Sequence, residues 1–223
     1  MFNTIRTREA PSSLSRRQKY NSKDVLDELC KVFFKKCYIC ETKEPLDINV
    51  EHFSSHNGDL NKKFDWENLY LSCARCNNIK LQGYNNLLDC CDTNTDVLRA
   101  IKHKPPTTPY AKRLEIEPQL VDESTLATAE LLNKVYNSDH TDTKMVTAVA
   151  LRKEVFKQFN IFLELQCEYF DETSLEVEKE NAIERMKLLI MPSSKYSAFI
   201  SWCIIEDTVL YPILEPYIGL SEE

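Results

Sequence analysis

A mainly helical α+β fold is predicted, in which a zinc-pinned unit of two strands and a helix precedes a helical C-terminal body. Three observations carry this. Cys37 and Cys40 form one C-x2-C pair, Cys73 and Cys76 a second, with thirty-two residues between them. Each pair makes a tight turn that aims two thiolates at a single ion, so together they frame a tetrahedral zinc with an element inserted between the knuckles. Within that insertion Leu46, Ile48 and Val50 alternate with polar positions up to Glu51-His52, and residues 69–72 are a second extended piece. Residues 76–81 then begin a short helix. Beyond residue 120, apolar residues recur at helical spacing over 126–136, 143–170, 175–191 and 196–211, enough for a small bundle. The longest carries Leu151, Val155, Phe159, Phe162 and Gln166 on one stripe.

The 223 residues divide into four segments. Residues 1–22 form a polar basic arm with Arg6, Arg8, Arg16, Arg17 and Lys19, expected to be partly disordered or to track a phosphate backbone. Residues 23–101 hold the zinc-containing unit, beginning with a helix over 23–36 that Ser22 caps; Val25, Leu29, Val32, Phe33 and Lys36 trace its inner face. Residues 102–120 are a Pro-rich connector with Pro105, Pro106 and Pro109, leading into a strand pair around 111–120. Residues 121–223 are the helical domain. Only three glycines and 43% hydrophobic residues suit a helical body with a substantial core.

Nine cysteines, no apolar leader in residues 1–10 and no stretch of transmembrane length point to a reducing cytoplasm, with no membrane association. There paired cysteines bind metal more often than they form disulfides. Cys30, Cys167 and Cys203 lie in apolar helical patterns and read as core. Adjacent Cys90 and Cys91 have no functional reading. Charge is uneven: residues 1–80 carry a net +3 and residues 81–223 a net −10, within the total of −7. An acidic body binds a nucleic-acid backbone poorly by itself. The acidic run over 172–184 reads as a solvated face or as a surface for a basic partner.

Glu51, His52, Asn68 and Asn77 accompany the cysteine frame. A carboxylate, an imidazole and two carboxamides are the donors that a hard divalent ion and a general base require. Hydrolysis of a phosphodiester needs a deprotonated water, an oriented phosphate and neutralised charge on the leaving oxygen. A neutral imidazole titrating near neutrality suits the first task. Carboxylate and carboxamide oxygens suit Mg2+ or Mn2+, which keep most of their waters. His56 is a second candidate base, but its polar surroundings over residues 54–63 favour a solvated surface histidine.

This segment resembles an HNH endonuclease of the ββα-metal type in its zinc-pinned form. The resemblance implies that His52 is the general base that activates water. It implies that Asn77 ligates the catalytic Mg2+ or Mn2+, with Glu51, standing where the family usually has Asp, as another ligand. Asn68 would hold the loop that orients His52, and Lys80, one turn after Asn77, would touch a substrate phosphate. Cys37, Cys40, Cys73 and Cys76 would hold the structural Zn2+.

A narrower resemblance spans about residues 25–210. Glu51-His52-Phe53, Trp66-Glu67-Asn68-Leu69, the run from Leu131 to Asn137, Asp139-His140-Thr141, Leu151-Arg152 and the run from Ser197 to Ile205 are similar to the nuclease subunit of Septu anti-phage systems, some of which are carried by retrons. Such nucleases act with an ATPase subunit related to ABC and SMC-like proteins. The resemblance therefore implies a bacterial, cytoplasmic nuclease in anti-phage defence, with DNA as the default substrate and tRNA as another. The sequence has no Gly-rich phosphate loop, so ATP dependence would come from that partner. Two other readings stay open: a zinc-ribbon adaptor that binds nucleic acid or protein without cutting, and an HNH enzyme of restriction or homing type acting alone. The net acidity counts against the latter.

Overall fold

The computed structural model describes residues 1–6, 9–81, 83–138 and 147–219. Arg8 of the basic arm, the motif Asp139-His140-Thr141 and the start of the helix expected from residue 143 lie outside the described residues. The fold is α+β, with two small antiparallel sheets among its helices.

Helix α1 (Lys23–Val32) buries Val25, Leu29 and Val32. It stops four residues short of the predicted end because Phe34 and Lys35 turn left-handed, with φ of 52° and 55°. Phe33 and Lys36 are still buried, but from the turn. Ser22 occupies the N-cap position without capping the backbone; its hydroxyl donates to Asp24 instead. Strand β1 (Ile48–His52) follows the first cysteine pair, and a four-residue helix α2 (Leu60–Lys63) lies in the next loop. Strand β2 (Leu69–Cys73) pairs antiparallel with β1, placing Val50 opposite Leu71 and His52 opposite Leu69. Helix α3 (Ala74–Lys80) starts at once, with Cys73 at its N-cap.

Residues 102–120 are more than a connector. Helix α4 (Val97–Ala100) runs into β3 (Ile101–Lys104), which pairs with β4 (Glu115–Pro118). The expected hairpin within 111–120 is thus replaced by a pairing that reaches back across the proline-rich turn. Prolines lack the N–H a ladder needs, so Pro105, Pro106 and Pro109 fall between the strands. Trp202 donates its indole N–H to the carbonyls of Leu98 and Ile101, tying this sheet to the C-terminal helices.

Helices α5 (Glu123–Asn137), α6 (Ala148–Phe170) and α7 (Glu176–Ile190) lie close to the predicted spans. Asp122 and Thr147 cap α5 and α6 through backbone N–H groups three residues on. The last predicted helix is two, α8 (Ser197–Ile205) and α9 (Tyr211–Leu214). One core joins the N-terminus, the cysteine unit, α5 and the first half of α6; a second joins the rest of α6 with α7, α8 and α9. Cys167 is exposed rather than in either core, and Cys30 and Cys203 are partly buried.

The first residues depart most from expectation. Met1, Phe2, Thr4 and Arg6 are buried instead of forming a solvated arm. The Met1 ammonium sits 3.1 Å from Glu41 and 2.9 Å from Nε2 of His103. Lys36 Nζ, also buried, lies 3.1 Å from Glu41 and donates to the carbonyls of Pro192 and Ser194. This buried charge cluster joins the first cysteine knuckle to the loop before α8. Arg6 stacks over Trp66 and Tyr70 and donates to the Trp66 carbonyl at 2.9 Å.

Candidate functional site

The four cysteines converge. Their sulfurs all lie within 4.8 Å of one another, and Cys40 and Cys73 are 3.8 Å apart. Four thiolates about 2.3 Å from a tetrahedral zinc are spaced by about 3.8 Å, so the cluster has the dimensions of a four-thiolate zinc site. All four are buried and none is in a disulfide. Burial pushes the Cys37 and Cys76 thiols well up, while hydrogen bonds from Cys37, Cys73 and Cys76 hold Cys40 well down. The Cys76 N–H points at Cys73 Sγ from 3.4 Å, the N–H···S contact of a zinc knuckle. The donor set and its spacing fit a structural metal ion, and zinc is the ion four thiolates favour. Around it, Tyr136 donates to the Cys40 carbonyl, and buried Arg75 donates to the carbonyls of Val135 and Ser138 at the end of α5. The cluster therefore also anchors the helical body.

A cleft of about 420 Å³ opens at the other end of β1 and α3. It is lined by Glu51, His52, Ser55, His56, Asn57, Gly58, Asn77 and Leu81. The strand pairing brings His52 to this end, and α3, following β2 without a break, brings Asn77.

His52 is half-buried, and its Nε2 lies 3.0 Å from the Lys63 carbonyl. A carbonyl only accepts, so Nε2 carries the proton and Nδ1 holds the lone pair of the neutral ring. Burial lowers the imidazole's proton affinity, and the neighbouring His56 and Lys63 lower it further, against the pull of the Lys63 carbonyl. The neutral form of the ring is thus favoured. It packs 4.6 Å from the Tyr20 ring and 4.7 Å from that of His56. His56 Nδ1 accepts from the Gly58 N–H at 3.1 Å.

Asn68 is buried. Its Oδ1 accepts from the Ser54 N–H at 2.7 Å, and its Nδ2 donates to the carbonyls of Ser54 and Lys62. The side chain clips both ends of the loop over residues 54–62, one residue from the carbonyl that holds His52. Asn77 differs: it is half-buried, lines the cleft, and its carboxamide has no hydrogen-bond partner among the described residues.

Glu51 and Lys80 do not take the places expected of them. Lys80 Nζ sits 2.6 Å from Glu51 Oε1 and donates to the His52 carbonyl at 3.0 Å. Glu51 Oε2 accepts from the Tyr38 hydroxyl at 2.7 Å. Lys80 is 1% exposed and Glu51 5%, so the ammonium expected at a substrate phosphate is spent inside the protein. Both oxygens of the carboxylate expected at a catalytic metal are likewise engaged. Burial pushes the Glu51 carboxyl up, opposed by Lys80 and Tyr38. The physical reason is alternation along β1: Glu51, one residue before His52, borders the cleft but turns its carboxylate inward to Tyr38 and Lys80.

Tyr38 and the Lys63 carbonyl are the contributors that sequence reading missed. Tyr38 lies between Cys37 and Cys40, so a knuckle position that turns inward was a signal within reach. A main-chain carbonyl leaves no sequence signal at all. Set against known proteins, the chain matches no family model, and a search of curated proteins finds no match.

Proposed function

We propose that the chain is a metal-dependent HNH endonuclease that hydrolyses phosphodiester bonds of nucleic acid. The observation that carries this reading is the His52–Lys63 hydrogen bond, which takes up Nε2–H and, in the neutral imidazole that burial favours, leaves Nδ1 unprotonated at a cleft shared with Asn77. A general base must be unprotonated at working pH and held by its other nitrogen, and both conditions are met. The uncommitted Asn77 carboxamide is the donor offered to a catalytic Mg2+ or Mn2+, an ion that keeps several waters and takes few protein ligands. That ion would neutralise charge on the phosphate and the leaving oxygen. In this reading Glu51 is a positioning residue: through Lys80 it fixes the His52 main chain. Asn68 fixes the loop, and zinc on Cys37, Cys40, Cys73 and Cys76 fixes the whole unit.

The partner is proposed on the Septu resemblance, over about residues 25–210: an ABC or SMC-like ATPase subunit that delivers or restrains the nuclease in bacterial anti-phage defence. Two features support it. Residues 81–223 carry a net −10, which suits docking on a basic protein better than on DNA. Lys80 is also committed to Glu51, so a partner supplying phosphate contacts would complete the cleft. No helix among the described residues is long and apolar enough to cross a membrane.

One observation favours a second reading. The Glu51–Lys80 pair closes off a carboxylate and a cation at the cleft floor, as in a zinc-pinned adaptor that binds without cutting. An assay on plasmid DNA and total tRNA with Mg2+ or Mn2+, with and without the co-purified ATPase, separates the two. Cleavage by the wild type that His52→Ala abolishes is the expected result. Binding without cleavage, in the presence of the ATPase, would establish the adaptor.

A further inference from the structure

Asp89, Cys90 and Cys91 form a second cluster, distinct from the four-cysteine one, in which one ligand atom from each lies within 4.8 Å of the others. Cys90 is 1% exposed and Cys91 partly exposed. The Arg6 guanidinium approaches Cys91 Sγ to 3.7 Å through Nη2, while its Nη1 is held by the Trp66 carbonyl. Asp89 Oδ1 accepts from both the Tyr70 hydroxyl and the Cys91 N–H. The buried Thr4 N–H donates to the Cys90 carbonyl at 2.9 Å, fixing the pair against the N-terminal segment.

These contacts discriminate between chemistries. A cation would meet a fixed guanidinium at Cys91 and a carboxylate oxygen that two donors already occupy. A thiolate is what a guanidinium stabilises. We propose that Cys90–Cys91 is a redox-active vicinal dithiol, with Cys91 as the nucleophile toward a hydroperoxide and Cys90 as the resolving thiol. The neighbouring Cys90 thiol, and Arg6 after it, also hold Cys91 below the usual thiol range, whereas the Cys91 contact and burial push Cys90 up. That is the polarity a nucleophile and its resolving partner need.

The steps balance with hydrogen peroxide as oxidant. The Cys91 thiolate attacks one peroxide oxygen, the O–O bond breaks, and hydroxide leaves, taking a proton to become water; Cys91 is now a sulfenic acid. The Cys90 sulfur attacks Cys91 Sγ, the S–O bond breaks, and the departing hydroxide takes the Cys90 proton. Two thiols and one peroxide become one disulfide and two waters. Adjacent Cα atoms stand about 3.8 Å apart, shorter than the usual disulfide span, so the product is strained and easily reduced again. Reversibility follows from that strain.

The test uses the full zinc-loaded chain and mass spectrometry. Cleavage after Lys80 and Arg99 releases residues 81–99, in which Cys90 and Cys91 are the only cysteines. After brief peroxide exposure this peptide is expected to lose two hydrogens, regain them with dithiothreitol, and react faster than the exposed Cys167. In Cys90→Ser, dimedone should capture a sulfenic acid at Cys91; in Cys91→Ser, none should appear at Cys90. A wild-type peptide that stays reduced while Cys167 oxidises would overturn the proposal. So would dimedone capture at Cys90 in Cys91→Ser with none at Cys91 in Cys90→Ser.

Discussion

Lys80 and Glu51, 29 positions apart in sequence, meet at 2.6 Å on the inner side of the cleft, the lysine reaching from the last turn of α3 to the penultimate residue of β1. The same ammonium holds the carbonyl of His52, and the same carboxylate takes the hydroxyl of Tyr38, which lies between Cys37 and Cys40. One buried pair thus connects the four-cysteine cluster, the strand and the helix. Removing one member of a buried pair leaves an uncompensated charge, which costs about 3–5 kcal/mol, far more than an exposed pair is worth. We expect Lys80→Met to lower the denaturant midpoint accordingly, and Glu51→Leu combined with Lys80→Met to recover much of the loss. If Lys80 instead served substrate phosphate alone, Lys80→Met would fold with wild-type stability and only bind substrate more weakly.

His52 and Asn68 should respond differently to truncation. His52 is half-buried and makes one side-chain hydrogen bond, so His52→Ala should cost about 1 kcal/mol while abolishing cleavage. Asn68 makes three loop-closing hydrogen bonds, and Asn68→Ala should cost about 2–3 kcal/mol. Its activity should fall without vanishing, because the base remains but its loop is loosened. Thermal unfolding beside the nuclease assay checks both. A fully active Asn68→Ala would show that the loop does not orient His52.

What the sequence made legible was local. The C-x2-C pairs are turns within four residues, and the strand ending at His52 follows from alternation over five. Apolar spacing alone announces helices over 126–136 and 143–170, and the structure places them at 123–137 and 148–170 with Asp122 and Thr147 as caps. The misread parts depend on distant partners or on backbone conformation. The helix break after Val32 arises from two left-handed non-glycine residues, which no composition rule anticipates. The N-terminal arm looked basic and solvated, yet Arg6 finds Trp66 and Tyr70, and Met1 finds Glu41 and His103. Lys80 stood at the right spacing for a phosphate contact, and only the tertiary fold shows that Glu51 has claimed it.

The four-cysteine cluster should behave as part of the fold rather than of the chemistry. A buried thiolate needs a cation for compensation, and a structural zinc on these four cysteines would supply folding free energy outright. We expect one zinc per chain by elemental analysis and a loss of cooperative unfolding in Cys73→Ala. Tyr136 and Arg75 tie the frame to α5, so the loss should extend to the helical body as well. A soluble, zinc-free Cys73→Ala protein with cooperative unfolding would show that the cluster needs no metal.

Acid should destabilise the protein chiefly through His103. The ring is fully buried in β3, its Nδ1–H donates to the Ile101 carbonyl, and its Nε2 accepts from the Met1 ammonium. Burial and the adjacent ammonium lower its pKa to about 3. The unfolded chain takes up this proton near pH 6.5, so between about 6.5 and 3 the unfolded state binds more protons than the folded one. Stability from the neutral ring is therefore complete above about pH 6.5 and is lost as pH falls toward 3. Half-buried His52 contributes in the same direction, while Glu51, whose carboxyl burial pushes up, works against both above the ordinary carboxylate range. Glu41, whose pKa Lys36 and the Met1 ammonium hold at about 2 against the cost of burial, adds its own loss only below about pH 4.5. Urea unfolding at pH 7.5 and pH 5.0 should thus show lower stability at pH 5.0. His103→Gln, which cannot titrate, should reduce that difference by more than His52→Gln does. An equal difference in wild type and His103→Gln would place the acid sensitivity elsewhere.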